Sequence, residues 1–99
     1  MARQPLSDSD VLARLKDVPG WELIEGKLHR EFRFSNFIEA FGFMAQVALL
    51  AERRDHHPEW SNVYNRVTID LMTHVAGGLT ALDFDLARAV DQAFDARHA

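Results

Sequence analysis

Apolar residues recur along this chain with two different periods, and the switches between them divide it into seven segments. Val11, Leu12 and Leu15 form a short stripe at helical spacing that stops at Pro19-Gly20. Phe37, Phe41, Met44, Ala45, Ala48 and Leu49 form a longer stripe, and Leu82, Leu86, Val90, Ala93 and Phe94 form a third. Side chains three and four apart share one face of an α-helix, so each stripe predicts a helix with one buried side. Phe43 falls off the second stripe, which makes it a candidate oligomer contact instead of a core residue. Each predicted helix also begins with start chemistry. Ser7 precedes Asp10, Asn36 precedes Glu39 and Thr80 precedes Asp83, each by three residues. The first member can accept from an orphan backbone N–H, and the carboxylate suits the positive helix end.

Between the helices the period falls to two. Trp21 to Ile24 and Leu28 to Phe34 flank Glu25-Gly26-Lys27, which predicts a hairpin. In the second arm Leu28, Phe32 and Phe34 share one face, while His29, Glu31 and Arg33 share the other; Arg30 interrupts the apolar side. A second pair runs from Trp60 to Val63 and from Arg66 to Met72, turning at Tyr64-Asn65. There Val67, Ile69 and Leu71 alternate with Arg66, Thr68 and Asp70. The element order is therefore α-β-β-α-β-β-α. Half-polar strands call for an antiparallel sheet covered on one face, so the fold class is α+β, two-layered, with four antiparallel strands and helices on one side.

Bulk properties narrow the picture. The 99 residues make one domain, 1–99, with 47% hydrophobic residues spread over its length. The absence of cysteine excludes a disulfide framework, a thiolate metal site and a thiol nucleophile together. A net charge of −4 with interleaved signs offers no basic run for phosphates, so a nucleic-acid partner is not expected. Met1-Ala2-Arg3-Gln4-Pro5 leads into no apolar leader, and no stretch approaches the roughly 20 apolar residues of a membrane span. The expectation is a cytoplasmic protein.

Chemistry concentrates in Asp55-His56-His57-Pro58-Glu59-Trp60, directly after the second helix. Pro58 disfavours helical geometry at His57 and is expected to end the helix there. His74 follows the last strand in Thr73-His74, ahead of Gly77-Gly78. Imidazole exchanges protons near neutral pH. No serine nucleophile motif, phosphate loop or dinucleotide fingerprint accompanies these histidines, which leaves proton transfer as the economical chemistry. A three-histidine zinc site is the rival, weakened because adjacent histidines rarely reach one ion together. His29 and His98 read as surface residues.

The run His56-His57-Pro58-Glu59-Trp60-Ser61-Asn62-Val63-Tyr64-Asn65-Arg66-Val67, then Leu71-Met72-Thr73-His74 and Gly78-Leu79-Thr80 to Asp83, closely resembles the signature of the pterin-4a-carbinolamine dehydratases. The likeness covers about Glu52 to Ala87 at motif level, and the preceding hairpin and helix fit the family's α+β layout. It implies loss of water from a 4a-hydroxytetrahydropterin to give the quinonoid dihydropterin, in tetrahydropterin recycling after aromatic amino-acid hydroxylation, with no cofactor and no metal. It implies catalytic roles for His56, His57 and His74, and substrate contacts for Glu52, Pro58, Trp60, Thr73 and Asp83. It also implies a homodimer or homotetramer, with the short outer strands as the expected seam. Some family members act as dimerisation cofactors for other proteins, so a non-catalytic interaction module is the alternative. Two positions depart from the family's pattern: Leu82 where an arginine is frequent, and Val75 where an acidic residue often follows the histidine. Several residues keep a second reading. Asp83 suits a helix cap as well as a site, Glu52 a solvated helix position, and Trp60 a pocket wall or core.

Overall fold

Two tight turns set the strand pairing. Glu25 and Gly26 both adopt positive φ, 51° and 78°, as a two-residue hairpin turn matched to strand twist requires. They join β1 (Glu22–Ile24) to β2 (Lys27–Arg33), with Ile24 opposite Lys27. The second turn, at Tyr64-Asn65, joins β3 (Glu59–Val63) to β4 (Arg66–Leu71). Its backbone is clamped by amides: Asn62 Nδ2 donates to the carbonyls of Tyr64 and Arg66, and Asn65 Nδ2 to that of Phe34. The computed structural model describes residues 4–98, so the N-terminal Met1-Ala2-Arg3 of the leader reading and Ala99 lie outside the described residues.

The four strands form one antiparallel sheet in the order β1-β2-β4-β3. Three helices complete the domain: α1 (Asp8–Leu15), α2 (Phe37–Arg54) and α3 (Ala81–Arg97). The α-β-β-α-β-β-α order is the one the periodicity predicts, and Ser7, Asn36 and Thr80 cap the three helices. A single 3-10 turn, His74–Ala76, carries the chain from β4 towards α3. Among the described residues no helix is long and apolar enough to cross a membrane.

One core joins the sheet to the helices. Leu28 and Phe32 of β2 and Val67, Ile69 and Leu71 of β4 meet Phe43 and Val47 of α2 and Phe84, Leu86 and Val90 of α3. Aromatic rings bind its centre, with Phe43 lying 4.9 Å from Phe32 and 5.0 Å from Phe34. The opposite sheet face, which carries Lys27, His29, Glu31, Glu59, Ser61, Thr68 and Asp70, has no buried residue.

Helix α2 is rotated from the expected setting. Its buried line is Ala40, Phe43, Val47 and Ala51, while Phe37, Ile38, Phe41 and Leu49 are exposed. Phe43 is thus a core residue and not the outward-facing candidate; Phe37, Phe41 and Leu49 take that place. The reason is that α2 is apolar around most of its circumference, so periodicity offers two faces without ranking them. Small side chains at Ala40 and Ala51 let the helix lie close to its neighbours. Gly42 serves the same end: an added Cβ there would stand 2.7 Å from the Arg97 guanidinium of α3.

Arg30, the interruption in the apolar face of β2, also has its reason. Its guanidinium lies 4.5 Å from the Phe32 ring centre and donates to Asp91 on α3 at 2.8 Å. The same Asp91 oxygen accepts from Trp21 Nε1 at 2.8 Å. Burial pushes the Asp91 carboxyl above the usual range, against the pull of these two donors.

Urea unfolding checks the α2 assignment: Phe43→Ala should cost about 3–5 kcal/mol, while Phe41→Ala should cost under about 1 kcal/mol within a single chain. Equal losses would reverse it. At the Arg30 cluster, Asp91→Ala should cost about 2–3 kcal/mol by leaving two half-buried donors without a partner, and Asp91→Asn, which keeps an acceptor, should cost less.

Candidate active site

The histidine segment owes its position to how α2 stops. Pro58 is not what ends the helix. It ends at Arg54, and Asp55 turns left-handed at φ 50°. The Asp55 N–H donates to the Glu52 carbonyl and the His56 N–H to the Ala51 carbonyl, at 3.1 Å each. This pair of bonds reverses the chain at a helix C-terminus. It aims His56 inward and delivers His57 and Pro58 to the start of β3, the edge strand. Pro58 then keeps His57 extended.

His56 is buried, and its Nε2 lies 2.6 Å from Asp83 Oδ1. Asp83 is wholly buried at the start of α3. Its other oxygen accepts from Thr73 Oγ1 at 2.8 Å and from the Thr80 N–H at 2.9 Å. Because the Thr73 hydroxyl proton goes to the carboxylate, the 2.7 Å contact between Thr73 and Thr80 is donated by Thr80. Asp83 is therefore both helix cap and histidine partner, one oxygen for each role.

His57 and His74 are exposed. His57 Nε2 lies 2.8 Å from Glu52 Oε1 on the last turn of α2. His74 stands on the 3-10 turn next to Thr73, with Nε2 3.4 Å from Glu59 Oε2 on β3. A longer chain of contacts continues across the open sheet face. Lys27 Nζ donates to Glu59 Oε1 at 2.6 Å, and His29 Nδ1 lies 2.6 Å from Asp70 Oδ1. The Lys27 hydrogen bond, and after it the His74 charge, hold the Glu59 carboxyl below the usual carboxylate range.

One rule covers all three candidate histidines: each presents Nε2 to a carboxylate from another part of the chain. A carboxylate only accepts, so the Nε2 of His56 and of His57 donates to its partner, while His74 and Glu59 stand at ion-pair distance. The buried member is locked by Asp83; the two exposed members face solvent.

The remaining candidates divide. Glu52 is exposed and engaged by His57. Pro58 is half-buried and stiffens the segment. Trp60 pairs with Ile69 across the ladder, on the helix side of the sheet, and packs partly buried against the core. Thr73 is buried, with its hydroxyl committed to Asp83. His29 is not a plain surface residue, given its Asp70 bond. Glu59 carries no signal of its own in the sequence, although strand alternation puts it on the polar face beside Asp70. His57 and His74 are on open surface and His56 is beneath it: a cavity of about 570 Å³ among Leu6, Val11, Leu12, Leu23 and Leu79 includes none of the three. Among the described residues no three His, Cys, Asp or Glu side chains are grouped to hold a metal ion.

Asp83→Asn tests the buried junction. An amide offers one acceptor where the carboxylate offers two, so its NH₂ must face either His56 Nε2 or the Thr73–Thr80 pair. Unfolding free energy should fall by about 1–3 kcal/mol, and ¹⁵N NMR should show the His56 proton moved to Nδ1. An unchanged tautomer together with unchanged stability would remove Asp83 from this role.

Known proteins resemble this chain in sequence and fold. A family model described as pterin 4 alpha carbinolamine dehydratase matches residues 4–93. A protein of Solibacter usitatus, provisionally named pterin-4-alpha-carbinolamine dehydratase, is 57% identical over 86 residues, covering 87% of this chain and 90% of its own. A Prochlorococcus marinus protein of the same provisional name is 50% identical over 91 residues, covering 92% and 95%. The crystal structure of a transcriptional coactivator/pterin dehydratase from Brucella melitensis superposes with a TM-score of 0.88 at 44% identity, covering 92% of this chain and 99% of that one.

Proposed function

The chain belongs to the pterin 4 alpha carbinolamine dehydratase family, and from that premise we propose that it is a hydro-lyase. It removes water from a 4a-hydroxytetrahydropterin to give the quinonoid dihydropterin. The observation that carries this reading is the pair of exposed imidazoles, His57 and His74, each with a carboxylate at Nε2, Glu52 at 2.8 Å and Glu59 at 3.4 Å.

The chemistry asks for little more. The substrate's N5 lone pair assists departure of the 4a-hydroxyl. One imidazolium protonates that hydroxyl so that it leaves as water, and one neutral imidazole takes the N5 proton. The two steps consume and restore one proton, so a pair of histidines in opposite protonation states is returned in exchanged states. Bulk solvent resets it. Positioned proton donors and acceptors contribute roughly 10²–10⁴-fold each, which suits a bond already inclined to break. His56 takes a different part. Its Nε2 is bound to a fully buried carboxylate, so it anchors the segment that carries His57 and lines the base of the site. Glu52 and Thr73 act through the histidines they hold or flank, while Pro58 and Trp60 shape the wall. No metal or organic cofactor enters these steps. The setting is cytoplasmic pterin recycling alongside an aromatic amino-acid hydroxylase.

Stopped-flow measurement with a 4a-hydroxytetrahydropterin tests the reading. Wild type should exceed the spontaneous rate, and His57→Ala and His74→Ala should each lose roughly 10² of that gain or more. Three proteins with one common rate would refute the enzyme and leave the family's interaction role. That second reading has its own observation, the outward apolar face of α2 with Phe37, Ile38, Phe41 and Leu49. The same face, together with the outer strand edges, is our proposed seam for a homodimer or homotetramer. Sedimentation of Phe41→Glu should show a smaller assembly than wild type while the far-UV spectrum is retained. Identical sedimentation would exclude the α2 seam.

A further inference from the structure

We propose that Glu59, braced by Lys27, is the positioning residue of His74: it draws Nε2 towards its free oxygen and keeps a carboxylate beside the charge that appears when the ring is protonated. This deepens the dehydratase reading and rests on it.

The geometry begins with the strand order. Lys27, at the first position of β2, reaches past β4 to Glu59 on the edge strand β3. Its ammonium takes Glu59 Oε1 at 2.6 Å, which turns Oε2 towards the 3-10 turn, 3.4 Å from His74 Nε2. That separation suits an ion pair and is long for a hydrogen bond, a looseness common before substrate binds. Every element around the pair supplies a charge. β4 contributes Asp70, opposite Glu59 in the ladder, and β2 contributes Lys27 and His29, whose ring is taken up by Asp70. The β1–β2 turn contributes Glu25, and the 3-10 turn His74 itself. Lys27 is held above its ordinary value, first by the Glu59 hydrogen bond, and Glu59 below its own by the same bond. The Glu59 carboxylate is therefore favoured in its ionised form.

Stability does not explain the arrangement. The His74 and Glu59 side chains are 65% and 46% exposed, and exposed pairs of this kind add little to folding. What the pair can do is orient a ring. His74 stands exposed at the first position of the 3-10 turn. A carboxylate fixed at its far oxygen by a lysine supplies a constraint. His57 has a simpler partner, Glu52, for which no brace occurs among the described residues.

Glu59→Gln is the test, because it keeps size and hydrogen-bonding capacity and removes the charge. Two measurements are made: the His74 titration in substrate-free protein by NMR, and the pH profile of kcat/KM for dehydration. The His74 titration curve should be displaced towards lower pH, the direction that loss of a neighbouring negative charge requires. The limb of the rate profile that reports His74 should move by the same amount. A His74 titration that superimposes on wild type overturns the proposal. So does a displaced titration with an unmoved rate profile, since the pair would then exist without serving the reaction. The dehydratase reading fails separately, if wild type does not exceed the spontaneous rate; a His74→Ala variant as fast as a catalytic wild type overturns only the role of this ring.

Discussion

The buried Asp83 carboxylate is the constraint on which the rest of this small domain turns. It ties three segments that the chain brings together only through folding: the end of α2 through His56, the exit from β4 through Thr73, and the start of α3 through Thr80. A carboxylate with no solvent contact is tolerable only when its lone pairs are met by donors, and here three donors meet them. The consequence is geometric. With His56 and Thr73 both bound to this carboxylate, the next residue along each segment, His57 and His74, is displayed on the surface. Neither exposed ring needs a buried environment of its own. The cost of ordering the site is carried by its floor, which is shared with the helix cap.

Much of this is legible in the sequence, for identifiable reasons. Strand alternation, the Glu25-Gly26 turn and the three capping pairs are local signals, each decided within a few residues. The histidine motif is legible because proline and the strand start fix where His57 emerges. What the sequence hides is non-local. The setting of α2 depends on which of two apolar faces finds Phe32 and Phe34 across the core, and no property of residues 37–54 alone ranks Phe43 above Phe41. Arg30 looks like an error in the pattern of β2 until Asp91, 61 residues away, supplies its partner. Proline is conspicuous and draws the expected stop of α2 to Pro58. The actual stop lies at Asp55, a residue that tolerates left-handed backbone less visibly than glycine does. Glu59 escapes notice because its two partners come from β2 and the 3-10 turn.

The two faces of the sheet serve different ends. On the helix side, alternation is nearly pure, and the one cation, Arg30, is desolvated against rings and matched to Asp91. On the open side, Lys27, His29, Glu59 and Asp70 form cross-strand pairs of opposite charge, individually weak in water. A sheet wet on one face needs such pairs for solubility and register. Once they exist, a strand end that places one of them against a histidine acquires a function without new structure.

On the proposed reading, so short a chain suffices for acid–base work. Enclosure strengthens electrostatics but demands a large, closed pocket. The alternative is to leave the reacting rings at the surface and restrict only their rotation and their tautomer. A carboxylate on Nε2 does both at once: it selects the proton's position in the neutral ring and stays beside the cation after transfer. Three histidines here face three different carboxylates at Nε2, one buried and two exposed. The buried pair supplies rigidity that solvent cannot screen. On the proposed reading, the exposed pairs supply orientation while leaving the rings open to solvent. The limit of the strategy is modest field strength, so it fits reactions whose substrates already favour bond cleavage, as a carbinolamine does when it sheds water.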